Sequence, residues 1–474
     1  MMKEKIFHAD YLCTWDLQGV ACEQQGKVQE DGEISFIGDQ GASTTREAIT
    51  EHTVFGKNGW INLFPEDRQD LFFLLDDGWD VEYLKDYGKE MYKFGSHDVN
   101  EKKFPSFKGT PTEKLKQFVE RVKAAGWRGL GIWLPMQAYG EELYHKSVRQ
   151  TEGYWREMLE RSKEAGVAYW KVDWGHCAYN TVDRGELSKI AKEVYPELII
   201  EHGICCDGVN DKKGDGSGRY VNDVSYNRAM AYIKYPDILR TYDVSALGIC
   251  TTMDRAAALL PESEVLLNCE SIGAMAAGLG FSMGIMGTGL SELAAVRWHR
   301  IAPAFSGGTA HISDELLYDA YHFRKGSHWD PYLIDKTIGQ AAPAVISRNT
   351  KLPKVECNGE PHFVVASLNP TGAYSVATLN RQLMGATSNA PEIICFVDNA
   401  PSDIGMFGDI KRAEFKLSSA PKKVVAENII TRETEDITEK AVSGESVIIT
   451  EELLKEIFGE SESTLVGNRL KIEY

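Results

Sequence analysis

The stretch GVAYWKVDWGHC, residues 166 to 177, places Lys171 and Asp173 at the end of an otherwise apolar run. Residues two apart in a strand share a face, so the Lys171 ammonium stands beside the Asp173 carboxylate and favours its ionised form. A second acid, Asp243, closes the segment RTYD that begins at Arg240. Two carboxylates about 5 to 5.5 Å apart can cleave an acetal by double displacement. One attacks the carbon, while the other protonates the departing oxygen and then activates water. The plainer account of Lys171 and Asp173 is a buried salt bridge pinning the strand, although such a pair is often no more stabilising than apolar packing.

A third group lies in LLDDGWD, residues 74 to 80. Asp76 and Asp77 can accept hydrogen bonds from sugar hydroxyls, Gly78 permits a sharp turn, and the face of Trp79 can stack on a sugar's C–H surface. An Asp-capped turn between a strand and a helix is the alternative for the same residues.

The elements that must position these groups alternate along the chain. From residue 11 to about 310, short apolar runs alternate with amphipathic helical patterns, which predicts β/α units around a parallel sheet. The eight strands predicted are 11–16, 71–76, 128–134, 168–173, 197–202, 237–243, 264–270 and 281–287. Between them, PTEKLKQFVERVKAAG repeats Leu115, Phe118, Val119 and Val122 at helical spacing, with Pro111 near its start and Gly126 as a stop. TEGYWREMLERSKEAG repeats the design up to Gly166, and the segment from Thr14 to residue 43 is expected to be an elaborated loop with a hairpin of its own. Charges gather at the strands' C-terminal ends: Asp16, Asp76, Asp77, Lys171, Asp173, Glu201, His202, Arg240, Asp243 and Glu270. In an eight-stranded β/α barrel that rim is where active sites are built.

After about residue 340 the pattern changes to alternating strands bounded by Pro, Gly and Asn, interrupted by the helical EELLKEIFG. The expected organisation is α/β: a (β/α)₈ barrel over 1–340, followed by an antiparallel β domain over 341–474 that carries no catalytic residue.

A formal net charge of −18 over 474 residues, with no basic block, excludes nucleic acid as a natural partner. Nine cysteines without a Cys-x-x-Cys pair indicate neither a disulfide framework nor a zinc ribbon. MMKEKIFHAD lacks the apolar core of a secretory signal, and no long apolar run exists. A cytoplasmic protein without a membrane partner is expected, unless a leader has been removed, and the oligomeric state is open.

On these residues the sequence resembles the clan of retaining α-glycosidases that contains the α-galactosidases and α-N-acetylgalactosaminidases. That clan carries Asp-Asp-Gly-Trp after strand two, Lys-x-Asp on strand four, Glu-Trp-Gly after strand five and an Arg before the acid/base Asp after strand six. Similar here are Asp76-Asp77-Gly78-Trp79, Lys171-Val172-Asp173, Glu201-His202-Gly203, and Arg240 with Asp243. The resemblance implies Asp173 as nucleophile and Asp243 as acid/base, with Asp76, Asp77 and Lys171 on the sugar's hydroxyls and Glu201 and Arg240 near its 2-position. Trp15 looks like the aromatic lining the sugar site from strand one, and Trp133 on strand three joins the substrate-binding set. SELAAVRWHRIAPAF is similar to the clan's last barrel helix, and the C-terminal β-sandwich is also implied. So is an α-galactoside or related α-glycoside as substrate, with no metal and no cofactor. The chain departs from the clan in three places. RTYD leaves two residues between Arg and Asp instead of three, His202 replaces a Trp, and YLCTWD lacks the clan's Gly-Trp-Asn.

Two other classes fit part of the pattern. Asp173, His176, Glu201, His202 and Glu270 are ligand types that a metal-dependent barrel lyase or isomerase would use. A carbohydrate-binding barrel without catalysis would keep the same Asp and Trp residues. Asp207, Asp211 and Asp215 do not have EF-hand spacing, and GLGFSMGIMGTG lacks the Lys-Ser/Thr of a phosphate loop. Cys205 and Cys206 read as thiols beside the rim.

Overall fold

The computed structural model describes residues 8–24, 45–82, 84, 87–178, 180–204, 235–241, 264–270, 273–306, 309–312, 317–322, 337–342, 354–358, 363–379 and 390–474. Eight parallel strands close a barrel in sequence order. They are β1 (Tyr11–Cys13), β2 (Phe72–Leu75), β3 (Gly129–Leu134), β4 (Tyr169–Val172), β5 (Ile199–Ile204), β6 (Ile238–Thr241), β7 (Leu266–Glu270) and β8 (Ser282–Ile285). Seven fall within the runs expected from sequence, β5 runs two residues past its expected end at 202, and Tyr11 opposite Gly284 joins the last strand to the first.

Period-two alternation divides each strand between two environments. Tyr11, Cys13, Phe72, Leu74, Tyr169, Ile199, Ile238 and Leu266 pack together in the lumen. Leu12, Phe73, Leu75, Trp170, Val172, Ile200 and Leu239 belong to the layer between barrel and helices. Counting on by twos, Asp76 follows Leu74 on the lumen face, Lys171 and Asp173 follow Tyr169, Glu201 follows Ile199, Arg240 follows Ile238 and Glu270 follows Leu266.

The helices that clamp these strands begin and bury as expected. Helix Pro111–Ala124 starts with a capping box, Thr110 accepting from the Glu113 backbone N–H at 3.3 Å and Glu113 from that of Thr110 at 2.7 Å. Its Leu115, Phe118, Val119 and Val122 face the core. Helix Glu152–Ala165 buries Trp155, Met158, Leu159 and Ala165 in the same way and stops at Gly166, φ +82°, but it begins without a side-chain cap at Thr151. The segment after β1 differs from expectation: Trp15–Gln24 is helical, and its continuation to residue 44 lies outside the described residues.

A sheet of seven strands and one of five enclose a second core that includes Val364, Val376, Ile393, Phe415, Val424 and Ile449. Two pairs within them are parallel, Tyr374–Leu379 with Asp403–Phe407 and Glu392–Val397 with Arg412–Leu417, so the sheets are mixed. Thr309–Ile312, before residue 340, pairs with Phe363–Leu368, so this domain draws on chain from before the expected boundary. Asp403–Phe407 carries no alternating pattern because both its faces are covered: Ile404 and Met406 face the sandwich core, while Phe407 packs on Trp298 of barrel helix Leu290–His299. Helix Glu451–Phe458 is where EELLKEIFG predicted it.

Candidate active site

Six charged side chains converge at the C-terminal end of the lumen. Lys171 Nζ lies 2.8 Å from Asp76 Oδ2 and 3.0 Å from Glu270 Oε1. The cation that touches Asp173 is instead Arg240, whose Nη2 stands 3.2 Å from Asp173 Oδ2. That oxygen also accepts the Trp133 indole N–H at 3.1 Å. The Lys171 stem carries its ammonium across the lumen to β2 and β7, so a neighbour on the same strand face is not the partner that spacing predicted.

Beneath Asp173 lies a buried floor. Arg240 Nε donates to Glu201 Oε1 at 2.8 Å and Nη1 to Glu270 Oε2 at 3.0 Å. Tyr169 donates to Glu201 Oε2 at 2.7 Å, and the Tyr11 hydroxyl sits 2.5 Å from Glu270 Oε1 and 3.3 Å from Glu201 Oε1. Glu201 and Arg240 are 0% exposed. Arg240 braces Asp173 from below, and Glu201 holds Arg240.

Burial pushes the Glu201 carboxyl up to about 7 against the opposing charge of Arg240. Burial also pushes Glu270 up, but Arg240 and Lys171 outweigh it and hold Glu270 below the usual glutamate range. For Lys171, burial lowers the ammonium, yet Asp76 and Glu270 keep it well above its ordinary value. Cys13 donates its thiol to Asp76 Oδ2 at 2.9 Å and is raised well above a normal thiol by burial and then by the Asp76 charge.

The Asp-Asp-Gly-Trp turn separates its residues. Asp76 enters the lumen, its Oδ1 accepting the Asp77 N–H at 2.8 Å. Asp77 pairs with Arg46 Nη2 at 2.7 Å, and that guanidinium lies over the Phe94 ring. Gly78 turns at φ +109°, where a Cβ would meet Arg46 Cβ at 2.8 Å. Trp79, expected to offer a face to a sugar, is wholly buried between barrel and helices and gives its N–H to the Trp133 carbonyl at 3.0 Å.

Asp80 completes the turn, its Oδ2 accepting from the Ser96 hydroxyl at 3.2 Å and the His97 N–H at 3.3 Å. Burial, reinforced by the charge of Asp77, raises its carboxyl to about 7. The folded group keeps its proton up to that pH, whereas the unfolded group loses it near 4, so its stabilising contribution is complete below about pH 4 and lost as pH rises to about 7. A shift of about three units corresponds to about 4 kcal/mol. Asp80→Asn mimics the protonated form, so the variant should match wild type at pH 4 and exceed it at pH 8 by up to about 4 kcal/mol in urea unfolding. Equal stability of the two proteins at pH 8 would refute this.

From outside the barrel, Arg184 of helix Thr181–Val194 holds the end of β4. It donates to the carbonyls of Val172 at 3.1 Å, Asp173 at 2.8 Å and Ala178 at 2.8 Å. Neither Arg184 nor Tyr11 and Tyr169 was marked by sequence: the first sits in a helix's polar run, the tyrosines in apolar strands. His202 lies on the outer face of β5, between Arg184 at 3.0 Å and Ser188 at 2.9 Å. Of the residues weighed as metal ligands, Asp173, Glu201 and Glu270 meet around Arg240, whose guanidinium stands between them, while His202 points away from the lumen; no group of three ligand side chains placed to hold a metal ion occurs among the described residues.

Trp15 is half-buried against the lumen cluster. Asp16 lies in the first turn of the helix after β1, and burial, with Glu270 next in effect, raises it to about 7. Asp243, Cys205, Cys206 and the segment holding Asp207, Asp211 and Asp215 lie outside the described residues. Chemically, the described part presents one carboxylate, Asp173, at the top of the lumen with two donors converging on Oδ2. Such a group can attack an electrophilic carbon or stabilise positive charge developing on it.

No protein-family model matches the chain, and no curated protein matches it. Solved structures similar to it include a β-L-arabinopyranosidase from Geobacillus stearothermophilus, 9% identical over 90% of this chain and 93% of that one, with a TM-score of 0.41. An α-galactosidase from Saccharomyces cerevisiae is 11% identical over 91% and 96%, with a TM-score of 0.40. α-Galactosidase I from Mortierella vinacea is 10% identical over 85% and 87%, with a TM-score of 0.36. All three are named as glycosidases.

Proposed function

We propose that the chain is a retaining α-glycosidase, acting on an α-galactoside or a closely related α-glycoside. The observation that carries this reading is the setting of Asp173, a carboxylate at the C-terminal end of a β/α-barrel lumen with Trp133 and Arg240 on one oxygen. An ion-paired carboxylate stays charged and directed, as a nucleophile must. Lys171 with Asp76 forms a second polar pair beside it, matched to the hydroxyls of a sugar.

In the first step Asp173 attacks the anomeric carbon while the bond to the departing oxygen breaks, and Asp243 gives that oxygen its proton. The product is a glycosyl ester on Asp173. Asp243, now a carboxylate, takes a proton from water, whose oxygen attacks the same carbon and releases Asp173. Two inversions give net retention, and water is the only cosubstrate.

The test is a panel of aryl α- and β-glycosides of galactose, N-acetylgalactosamine, arabinopyranose and glucose, with the first-formed anomer read by NMR. Cleavage of an α-galactoside or related α-glycoside, giving the α-anomer first and indifferent to chelator, is expected. A β-anomer formed first, activity abolished by chelator, or binding of these sugars without turnover would overturn the reading.

A further inference from the structure

Two carboxylates anchor Arg240 as it presents Nη2 to Asp173. Nε rests on Glu201 Oε1 at 2.8 Å and Nη1 on Glu270 Oε2 at 3.0 Å. The Glu201 contact alone would leave the planar guanidinium able to swing about Nε, and the Glu270 contact removes that freedom. Glu270 is itself held through its other oxygen, Oε1, by the Tyr11 hydroxyl at 2.5 Å and Lys171 Nζ at 3.0 Å. Room for this arrangement comes from the strand that closes the barrel. A Cβ at Gly284 would stand 2.7 Å from Glu270 Cγ and 2.8 Å from the Tyr11 hydroxyl oxygen. The lumen face of β8 is therefore bare where Glu270 leans across it.

We propose that Glu270 is a positioning residue: by bridging Arg240 to Lys171 it fixes the plane of the Arg240 guanidinium and, through it, the Asp173 carboxylate. Its place in catalysis rests on Asp173 being the nucleophile. The bridge requires both carboxylate oxygens as acceptors, one for each cation. Glutamine has the same size but turns an amide N–H₂ toward either Arg240 or the Lys171–Tyr11 side, where donors already stand. Lys171 keeps its bond to Asp76 in that variant, so contacts to the sugar survive and the loss falls on the chemical step.

The experiment compares wild type, Glu270→Gln and Glu270→Asp by steady-state kinetics on the best aryl α-glycoside and by crystal structures. Displacement of an aligned group by about 1 Å costs on the order of 100-fold. The expected result for Glu270→Gln is a fall in kcat of that order with KM changed less than about threefold, and Arg240 Nη2 beyond hydrogen-bond distance of Asp173. Glu270→Asp, which keeps both acceptors on a shorter stem, should recover part of kcat. If Glu270→Gln does not fold, Gly284→Ala crowds the same carboxylate without removing it and should give the same kinetic split and the same displacement. A Glu270→Gln protein with near-normal kcat, or with Arg240 still on Asp173 in the crystal, overturns the proposal. Should the wild-type chain cleave no glycoside, the proposed function fails by itself, and the Arg240–Asp173 distance in the variant still decides the role of Glu270.

Discussion

Replacing Asp173 by alanine is expected to abolish turnover, lowering kcat by on the order of 10⁴-fold or more, while the folded protein is at least as stable as wild type. The kinetic half follows from the proposed covalent step: without the carboxylate no glycosyl ester forms, and losses of this size accompany removal of a group in direct contact with the reacting atoms. The stability half follows from the charges around it. Asp76, Asp173, Glu201 and Glu270 share two cations, Lys171 and Arg240. Removing one of four carboxylates leaves each cation with a buried acidic partner, Lys171 with Asp76 and Glu270, Arg240 with Glu201 and Glu270. The cluster loses like-charge repulsion and gains no orphaned cation, and this relief outweighs the cost of leaving the Trp133 N–H without its acceptor, so the net cost typical of breaking a buried ion pair does not arise here. Sugar affinity, measured by calorimetry, should change little because Asp76 and Lys171 are untouched. Azide, entering the space left by the side chain, should restore cleavage of an activated aryl α-glycoside and yield the inverted β-glycosyl azide. A variant with near-normal kcat would remove Asp173 from the role of nucleophile. A loss of several degrees in Tm would show that the carboxylate is structural.

The barrel was legible because its strands repeat a local signal: apolar runs of strand length between helices with recognisable starts and stops. The lumen residues were legible for the same reason, since a period of two carries Tyr169 to Lys171 and Asp173 without knowledge of any partner. Partners were not. Arg240 belongs with Asp173 because β6 and β4 face one lumen, and Asp77 finds Arg46, 31 positions earlier, across a turn. Tyr11 and Tyr169 look like core residues until their hydroxyls are traced to Glu201 and Glu270. The parallel pairs of the sandwich escaped because strand order is a tertiary property, and Asp403–Phe407 escaped because a strand covered on both faces has no alternation to detect. Trp79 shows the converse error: an aromatic beside two acids fits a binding face, yet at 0% exposure it packs behind the strand.

Lys171→Met should be the most destabilising single change at the site, by about 3 to 5 kcal/mol at pH 8. The ammonium lies between Asp76 and Glu270, and all three side chains are less than 10% exposed. Methionine fills the volume of the stem but leaves two carboxylates facing each other across an apolar group. Asp76 then keeps only the Cys13 thiol and the Asp77 N–H among the contacts described above, neither of them charged. The sign with pH follows from the shift of Lys171 above its ordinary value. Its stabilisation is present at all pH values below the unfolded ammonium's pKa of about 10.4 and is lost only above it. Titration of Lys171 itself therefore does not vary the deficit between pH 5 and 8. The carboxylates do: without the ammonium one of them can take up a proton as pH falls, so the deficit should shrink at pH 5. Urea unfolding at the two pH values measures this, and a deficit equal at both would contradict it. The double variant Lys171→Met/Asp76→Asn removes one of the stranded charges and should be more stable than Lys171→Met alone, a non-additivity of at least about 1 kcal/mol. If the single variant were as stable as wild type, the bridge from β4 to β2 and β7 would not be what holds these carboxylates in the lumen.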